Sequence, residues 1–356
     1  MGVLLVGMGA GCAGPGGGWV TEAEGRRQKA DVGELSAAGS ERGGAVDARV
    51  ESEEAWEFSG RDGWVVRTRH YRIFTTETDA VLRERMAVFL EHALAHYTND
   101  LAELPPPPMK LDVYLMDNRP QWVEVTRRLL GSRGDRIVGV PRGGFATRGI
   151  GVYYDLGLRD TMSVAAHESW HQYTQRTFGD RLPVWLEEGL AVWMEGHRWR
   201  GGVPVFEPWA NTGRFDRLRE VVSAGRLSSV GSLVEQSPGA HLTSGGPAGD
   251  GVLDFYAQVW ALVHFLSAEP GRRASLERLV ADAAAGRMWR VVAGERGSGA
   301  GVRGGVTRAD APGLGSAVLR AYFGPASELE AGWRRFCGRV TAPGGRDAIV
   351  SGRAPG

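Results

Sequence analysis

The feature that most constrains this chain is the pentapeptide His167-Glu168-Ser169-Trp170-His171, set in a stretch of helical spacing from about Asp160 to Phe178. Four residues is just over one helical turn, so the two imidazoles project from one face and can share a single metal ion. Glu168 stands beside the first imidazole, where its carboxylate can take a proton from an activated water. Two histidines and a glutamate can also form a solvated polar face. Trp170 and Tyr173 in the same stretch point instead to a packed helix, in which His and Glu need partners. A second helix is expected from Pro183, a residue favoured in the first helical turn, to about Glu195. It carries Glu187 and Glu188, which differ by about 100° around the axis, so only one of them can face a metal held by the first helix. Sixteen residues lie between His171 and Glu188, enough for the end of one helix, a turn and the start of the next.

Around these two helices the chain reads as an α+β protein. Residues 1–18 form an apolar start and a Gly/Pro-rich tether, and residues 19–60, rich in Gly, Ala, Glu, Arg and Ser without periodicity, read as a flexible linker. Order is expected from Gly63. Trp64 to Thr75 alternates as one strand, Asp79 to Leu101 has helical spacing ended by Pro105 to Pro108, Lys110 to Met116 is a strand, and Gln121 to Leu130 a short helix. Gly143 to Tyr154 is β-prone. The segment 61–158 is therefore expected to be a small mixed β-sheet subdomain with an edge strand, and 159–275 a mainly helical subdomain. Residues 276–356 are expected to add helical segments around a Gly-rich gap from Gly294 to Gly305. Residues 196 to 249 read as loop with a helical piece near Arg214 to Ala224, and Val252 to Leu266 as a strongly apolar helix.

Composition removes several function classes. Lys+Arg and Asp+Glu number 42 each, so the net charge is zero and neither nucleic acid nor an anionic membrane surface is favoured as a partner. With only Cys12 and Cys337, a disulfide framework and an all-cysteine metal site are both excluded. No stretch approaches ~18 consecutive apolar residues, so a transmembrane helix is not expected.

Family resemblances sharpen these expectations. Leu182 to Val192 reads LPVWLEEGLAV. This is similar to the W-x-x-E-G-x-A segment of gluzincin metallopeptidases, such as thermolysin-like and aminopeptidase N-like enzymes. The resemblance implies one Zn2+ ion held by His167, His171 and Glu188, with Glu168 as general base and an open fourth position. Trp185, Gly189 and Ala191 fall at the supporting positions. Metzincins instead need Gly and His three and six residues past the second histidine, where this chain has Thr174 and Thr177. Tyr256, in Tyr256-Ala257-Gln258-Val259-Trp260, resembles the tyrosine that hydrogen-bonds the oxyanion in aminopeptidase N-like enzymes. The residues alone equally allow it to open a core helix.

From Trp64 to Leu266 the order strand-helix-strand, HExxHQ, W-x-x-E-G-x-A and Y-A-Q-x-W resembles bacterial peptidase-MA-like proteins, a family of unknown function. Gluzincins present an edge strand to the substrate backbone, and Gly143 to Tyr154 falls where that strand belongs. Aminopeptidases carry G-x-M-E-N there; this chain has Gly143-Gly144-Phe145-Ala146-Thr147 and no Glu. The expected activity is thus an endopeptidase rather than a strict aminopeptidase, with a peptide or protein as substrate. A zinc hydrolase of non-peptide amides and a catalytically silent envelope protein that binds protein or glycan are the alternatives; Glu168 speaks against the silent one.

Met1 to Met8 (MGVLLVGM) and Gly9-Ala10-Gly11-Cys12 resemble a bacterial lipoprotein signal, with Gly9 where Leu is usual. The resemblance implies an exported or envelope protein attached to the membrane through a lipidated Cys12. Among the remaining residues, Glu195 reads as an exposed helix-end carboxylate, with orientation of a ligand histidine as its other reading. His264 reads as a core histidine, and His197 and His241 as loop residues, incidental or lining the cleft.

Overall fold

The computed structural model describes residues 46–139, 143–239, 250–295 and 312–356. Its architecture is α+β, with a six-stranded mixed sheet in the order β1-β2-β3-β4-β6-β5, a two-stranded sheet β7-β8, and helices filling the rest. The sheet is built from β1 (Ser52–Phe58), β2 (Arg61–Arg67), β3 (Tyr71–Thr75), β4 (Leu111–Met116), β5 (Phe145–Thr147) and β6 (Ile150–Tyr154).

Order begins earlier than the expected Gly63, because residues 52–58 of the anticipated linker form β1. This strand escapes a periodicity reading because it is an edge strand largely exposed to solvent, with only Phe58 buried. Its partner is fixed by a two-residue turn: Ser59 and Gly60 both take positive φ, 55° and 73°, the geometry that matches the twist of a hairpin. Trp64 to Thr75, expected as one strand, is two. Glu91 folds the chain back between them. It accepts hydrogen bonds from Thr68 Oγ1 (2.6 Å) and the His70 backbone N–H (2.7 Å).

Helix α1 (Ala80–Asn99), capped by the Asp79 side chain, crosses over from β3 to a parallel β4. Helix α2 (Arg119–Leu130), capped by Asn118, crosses from β4 to a parallel β6. The segment expected as a single edge strand from Gly143 to Tyr154 is a hairpin. Only β5 lies at the edge, and β6 sits between it and β4, because Arg148 and Gly149 form another turn of positive φ. Alternation sorts the side chains: Tyr71, Ile73, Leu111, Val113, Leu115 and Tyr153 enter the main core. Met116, Phe145, Val152 and Tyr154 pack with Trp122, Val125 and Leu130 around α2 on the other face.

Helix α3 (Leu158–Thr177) lies on the main-core side of the sheet and is followed by α4 (Val184–Met194), as expected from sequence within two residues. α3 is buried from Thr161 to Thr174 on nearly every side, since it meets the sheet, α1 and α4 at once. Gln172 fastens it to the sheet by donating to the carbonyls of Asp112 (2.6 Å) and Gly149 (3.1 Å). Residues 196–239 are more ordered than a loop. They form the hairpin β7 (His197–Arg200) and β8 (Val203–Phe206), helix α5 (Thr212–Ser223) and a single turn at Val230–Leu233.

Helix α6 (Asp250–Ser267) packs against α4 and α5. Beyond it come α7 (Pro270–Ala284), α8 (Met288–Glu295), α9 (Leu314–Phe323), α10 (Ala326–Val340) and a last turn at Gly345–Val350. Helical segments do fill this region, and α9 and α10 are separated at Gly324-Pro325. One core cluster takes members from Val66 through Ile349, so the segments 61–158, 159–275 and 276–356 share an interior. No helix among the described residues is long and apolar enough to cross a membrane. Cys12, His241 and most of the Gly294 to Gly305 gap lie outside the described residues.

Candidate metal centre

His167 and His171, one turn apart on α3, point their rings at Glu188 on α4. Each Nε2 lies 3.4 Å from the same oxygen, Glu188 Oε2. These three are the only group among the described residues whose His, Cys, Asp or Glu ligand atoms converge closely enough to hold a metal ion, all within 4.8 Å of one another. All three residues are buried, at 0–1% exposure. Neither Nε2 atom nor either Glu188 oxygen makes a hydrogen bond. Buried polar atoms left in this condition are costly and need an explanation. A divalent cation with a preference for nitrogen and oxygen donors supplies one, so the residues present fit a zinc ion.

The other nitrogen of each ring is already committed. His167 Nδ1 lies 2.9 Å from Glu195 Oε1, and His171 Nδ1 lies 2.9 Å from Glu187 Oε1. A carboxylate can only accept, so each Nδ1 carries a proton, and Nε2 is the nitrogen that each ring turns to the centre. The neighbours Glu187 and Glu188 thus divide the work around α4. Glu188 faces both Nε2 atoms, while Glu187 holds the back of His171 and accepts from Thr174 Oγ1 (2.6 Å). Glu195 corrects an expectation: it is 5% exposed, not a solvated helix end. Arg214 holds it with a two-pronged contact, Nη2 to Oε1 at 2.8 Å and Nε to Oε2 at 3.2 Å, and Asn211 Nδ2 donates to Oε2 at 2.8 Å. The seven-residue spacing from Glu188 to Glu195 was a signal for this role. Nothing in the local sequence singles out Asn211 or Arg214, which arrive from α5.

Glu168 follows His167 into the interior, and neither of its buried oxygens has a hydrogen-bond partner. Burial pushes its carboxyl up to about 7, with Glu188 and Glu195 adding to the rise against the two imidazoles. Burial disfavours a charged imidazole at His171, but Glu187 and Glu188 outweigh it and lift the ring to about 10. Burial acts the other way on Glu195, yet Arg214 and His167 hold it down at about 2. The triad therefore attracts positive charge, whether a proton or a metal cation.

Tyr256, in the first half of α6, is fully buried with its ring 5.9 Å from that of His167 at 82°, so the structure brings it to the centre. His264, two turns further on, does not reach it. Its ring stacks on Trp209 at 3.6 Å and packs against Trp193 and Trp260, the core position expected. His197 Nδ1 donates to the Glu195 carbonyl (2.9 Å) and its ring packs against Phe89.

Packing explains the residues that flank the acids. A Cβ on Gly189 would stand 2.7 Å from Val263 Cγ2 and 3.0 Å from the Val259 carbonyl oxygen, so glycine lets α4 and α6 close beside Glu188. Trp185 and Ala191 are buried core residues. The β5 edge runs along α3. A Cβ on Gly144 would meet Val164 Cγ1 at 2.9 Å, and Gln175 Nε2 donates to the Ala146 carbonyl (3.3 Å). No family model, no curated protein and no solved structure matches the chain.

Proposed function

We propose that the chain is a zinc-dependent hydrolase of the gluzincin type that cleaves peptide or protein substrates, with one Zn2+ ion held by His167, His171 and Glu188. The observation that carries this reading is the convergence in a buried spot of two Nε2 atoms and a carboxylate that make no hydrogen bond, each imidazole being fixed from behind by its own carboxylate. Zinc bound there supplies a Lewis acid and makes water a competent nucleophile near neutral pH.

The chain's own groups do the rest. Glu168, raised toward neutrality by burial, takes the proton from the attacking water and passes it to the departing amine nitrogen. Tyr256, buried against His167, donates its hydroxyl to the developing oxyanion. Glu187 and Glu195 hold the imidazoles in one tautomer throughout. β5, at the edge of the sheet, lies along the same helix as Glu168; its three residues are buried and the Ala146 carbonyl accepts from Gln175 Nε2, so an extended peptide adds to this strand only by displacing that contact. We place the protein in the cell envelope or outside the cell, attached through Cys12, on the strength of the N-terminal sequence alone.

Digestion of a peptide library by the zinc-loaded protein tests the proposal. Wild type cleaves internal bonds, and Glu168→Gln, which keeps the shape but cannot accept the proton, retains zinc and loses at least about 100-fold in rate. A zinc-loaded wild type that cleaves no peptide would overturn the hydrolase assignment in favour of a binding role.

A further inference from the structure

We propose that Arg214 is a positioning residue for the metal centre, holding His167 through Glu195 with one edge and Tyr256 with its face. Arg214 sits in the first turn of α5, where the Asn211 side chain caps its backbone N–H at 3.2 Å. Its side chain turns inward to 6% exposure. The guanidinium forks onto both oxygens of Glu195, and its Cζ stands 5.0 Å from the centroid of the Tyr256 ring. One planar cation thus joins α3, the end of α4, α5 and α6 at a single point.

Two arguments make this more than packing. First, a buried guanidinium is expensive, and the cost is met only by near-complete pairing. Second, the centre is crowded with acids. Three carboxylates, Glu187, Glu188 and Glu195, touch the two imidazoles and Glu168 lies buried beside them, and Arg214 is the buried cation that the chain sets against this cluster. Without Arg214, Glu195 keeps only Asn211 and His167 as partners, and the carboxylate that sets the His167 ring is held less firmly. At the same stroke Tyr256 loses the cation against its face. Lysine cannot replace it, since a point charge offers neither the fork nor the flat surface.

The inference rests on the metal triad, and on the hydrolase reading only for what Tyr256 does. It is therefore tested without turnover, on the full chain, by zinc affinity in competition with a chelator, by the visible spectrum of the Co2+-loaded protein, and by the 19F resonance of 3-fluorotyrosine placed at position 256. Arg214→Met is expected to weaken zinc binding roughly ten- to hundredfold and to shift both spectra. Arg214→Lys recovers only part of each. Asn211→Ser, which keeps a helix cap and touches only the Glu195 arm, weakens zinc binding a few-fold and leaves the 19F resonance in place. A folded Arg214→Lys protein with wild-type zinc affinity, Co2+ spectrum and 19F resonance would overturn the proposal, and that variant decides the matter if Arg214→Met does not fold. Failure of the wild type to cleave peptides would sink the hydrolase reading and leave these measurements standing.

Discussion

Replacing Gly189 by alanine tests how tightly the two-helix framework is closed around Glu188. In an exposed helix the change stabilises by about 1 kcal/mol, because glycine is the poorer helix former. Here the added methyl would stand 2.7 Å from Val263 Cγ2 and 3.0 Å from the Val259 carbonyl oxygen, both on α6. Neither gives easily. A helical valine is held in one rotamer, and the carbonyl belongs to the backbone. The helices must separate by several tenths of an ångström, an overpacking cost of about 3 kcal/mol at the upper end of the usual range. The net expectation is a loss of about 2 kcal/mol, read as a lower urea midpoint at unchanged slope. Adding Val263→Ala makes room on one side, so the double variant should recover about 1 kcal/mol relative to the sum of the single ones. Because the displaced turn carries Glu188, zinc affinity should fall as well. A Gly189→Ala protein as stable as wild type, or more so, would refute the close-approach argument.

Three further outcomes are expected. Burial among Trp209, Trp193 and Trp260 pushes His264 down to about 3 from an ordinary 6.5, so below pH 6.5 the unfolded chain binds the proton first. Stability is then full above about pH 6.5 and is lost as the pH falls, by about 2 kcal/mol at pH 5, and His264→Phe should remove that share of the slope in denaturation measured at both pH values. Equal slopes would count against it. Glu187→Gln should weaken zinc binding roughly ten- to hundredfold in chelator competition, and an unchanged affinity would show that His171 is held by other means. Gln172→Leu leaves the buried Gly149 carbonyl and the part-buried Asp112 carbonyl without their side-chain donor and should cost about 2 kcal/mol in urea denaturation. Stability within about 0.5 kcal/mol of wild type would refute that pinning role.

Much of the centre was legible because its chemistry is local. His167 and His171 are four residues apart on one helix, so the period of the helix alone puts them together. The α3 and α4 boundaries follow from the residues around them, Gly157 and Gly179 beside α3 and Pro183 before α4. What brings Glu188 to the pair is tertiary: the residues alone leave Glu187 and Glu188 open, and only the resemblance of W-x-x-E-G-x-A names Glu188, while Gly189 owes its place to the approach of α6. Other parts were illegible for physical reasons. β1 is charged and exposed, as an edge strand can be, and so shows no alternation. The turn that splits β2 from β3 is written in Glu91, more than 20 residues away. The fork on Glu195 comes from Asn211 and Arg214, on a helix in a segment that read as mostly loop. Glu195 does not show its burial in the sequence, because a carboxylate at a helix end is usually solvated and only its distant partners make the interior tolerable.

The most direct test of the account is the zinc stoichiometry of the purified, reconstituted chain, determined by elemental analysis after dialysis against metal-free buffer. One zinc per chain is expected in wild type, and none in His171→Ala or Glu188→Ala proteins that remain folded by circular dichroism. A wild type that retains no zinc, or triad variants that retain it as wild type does, would contradict it.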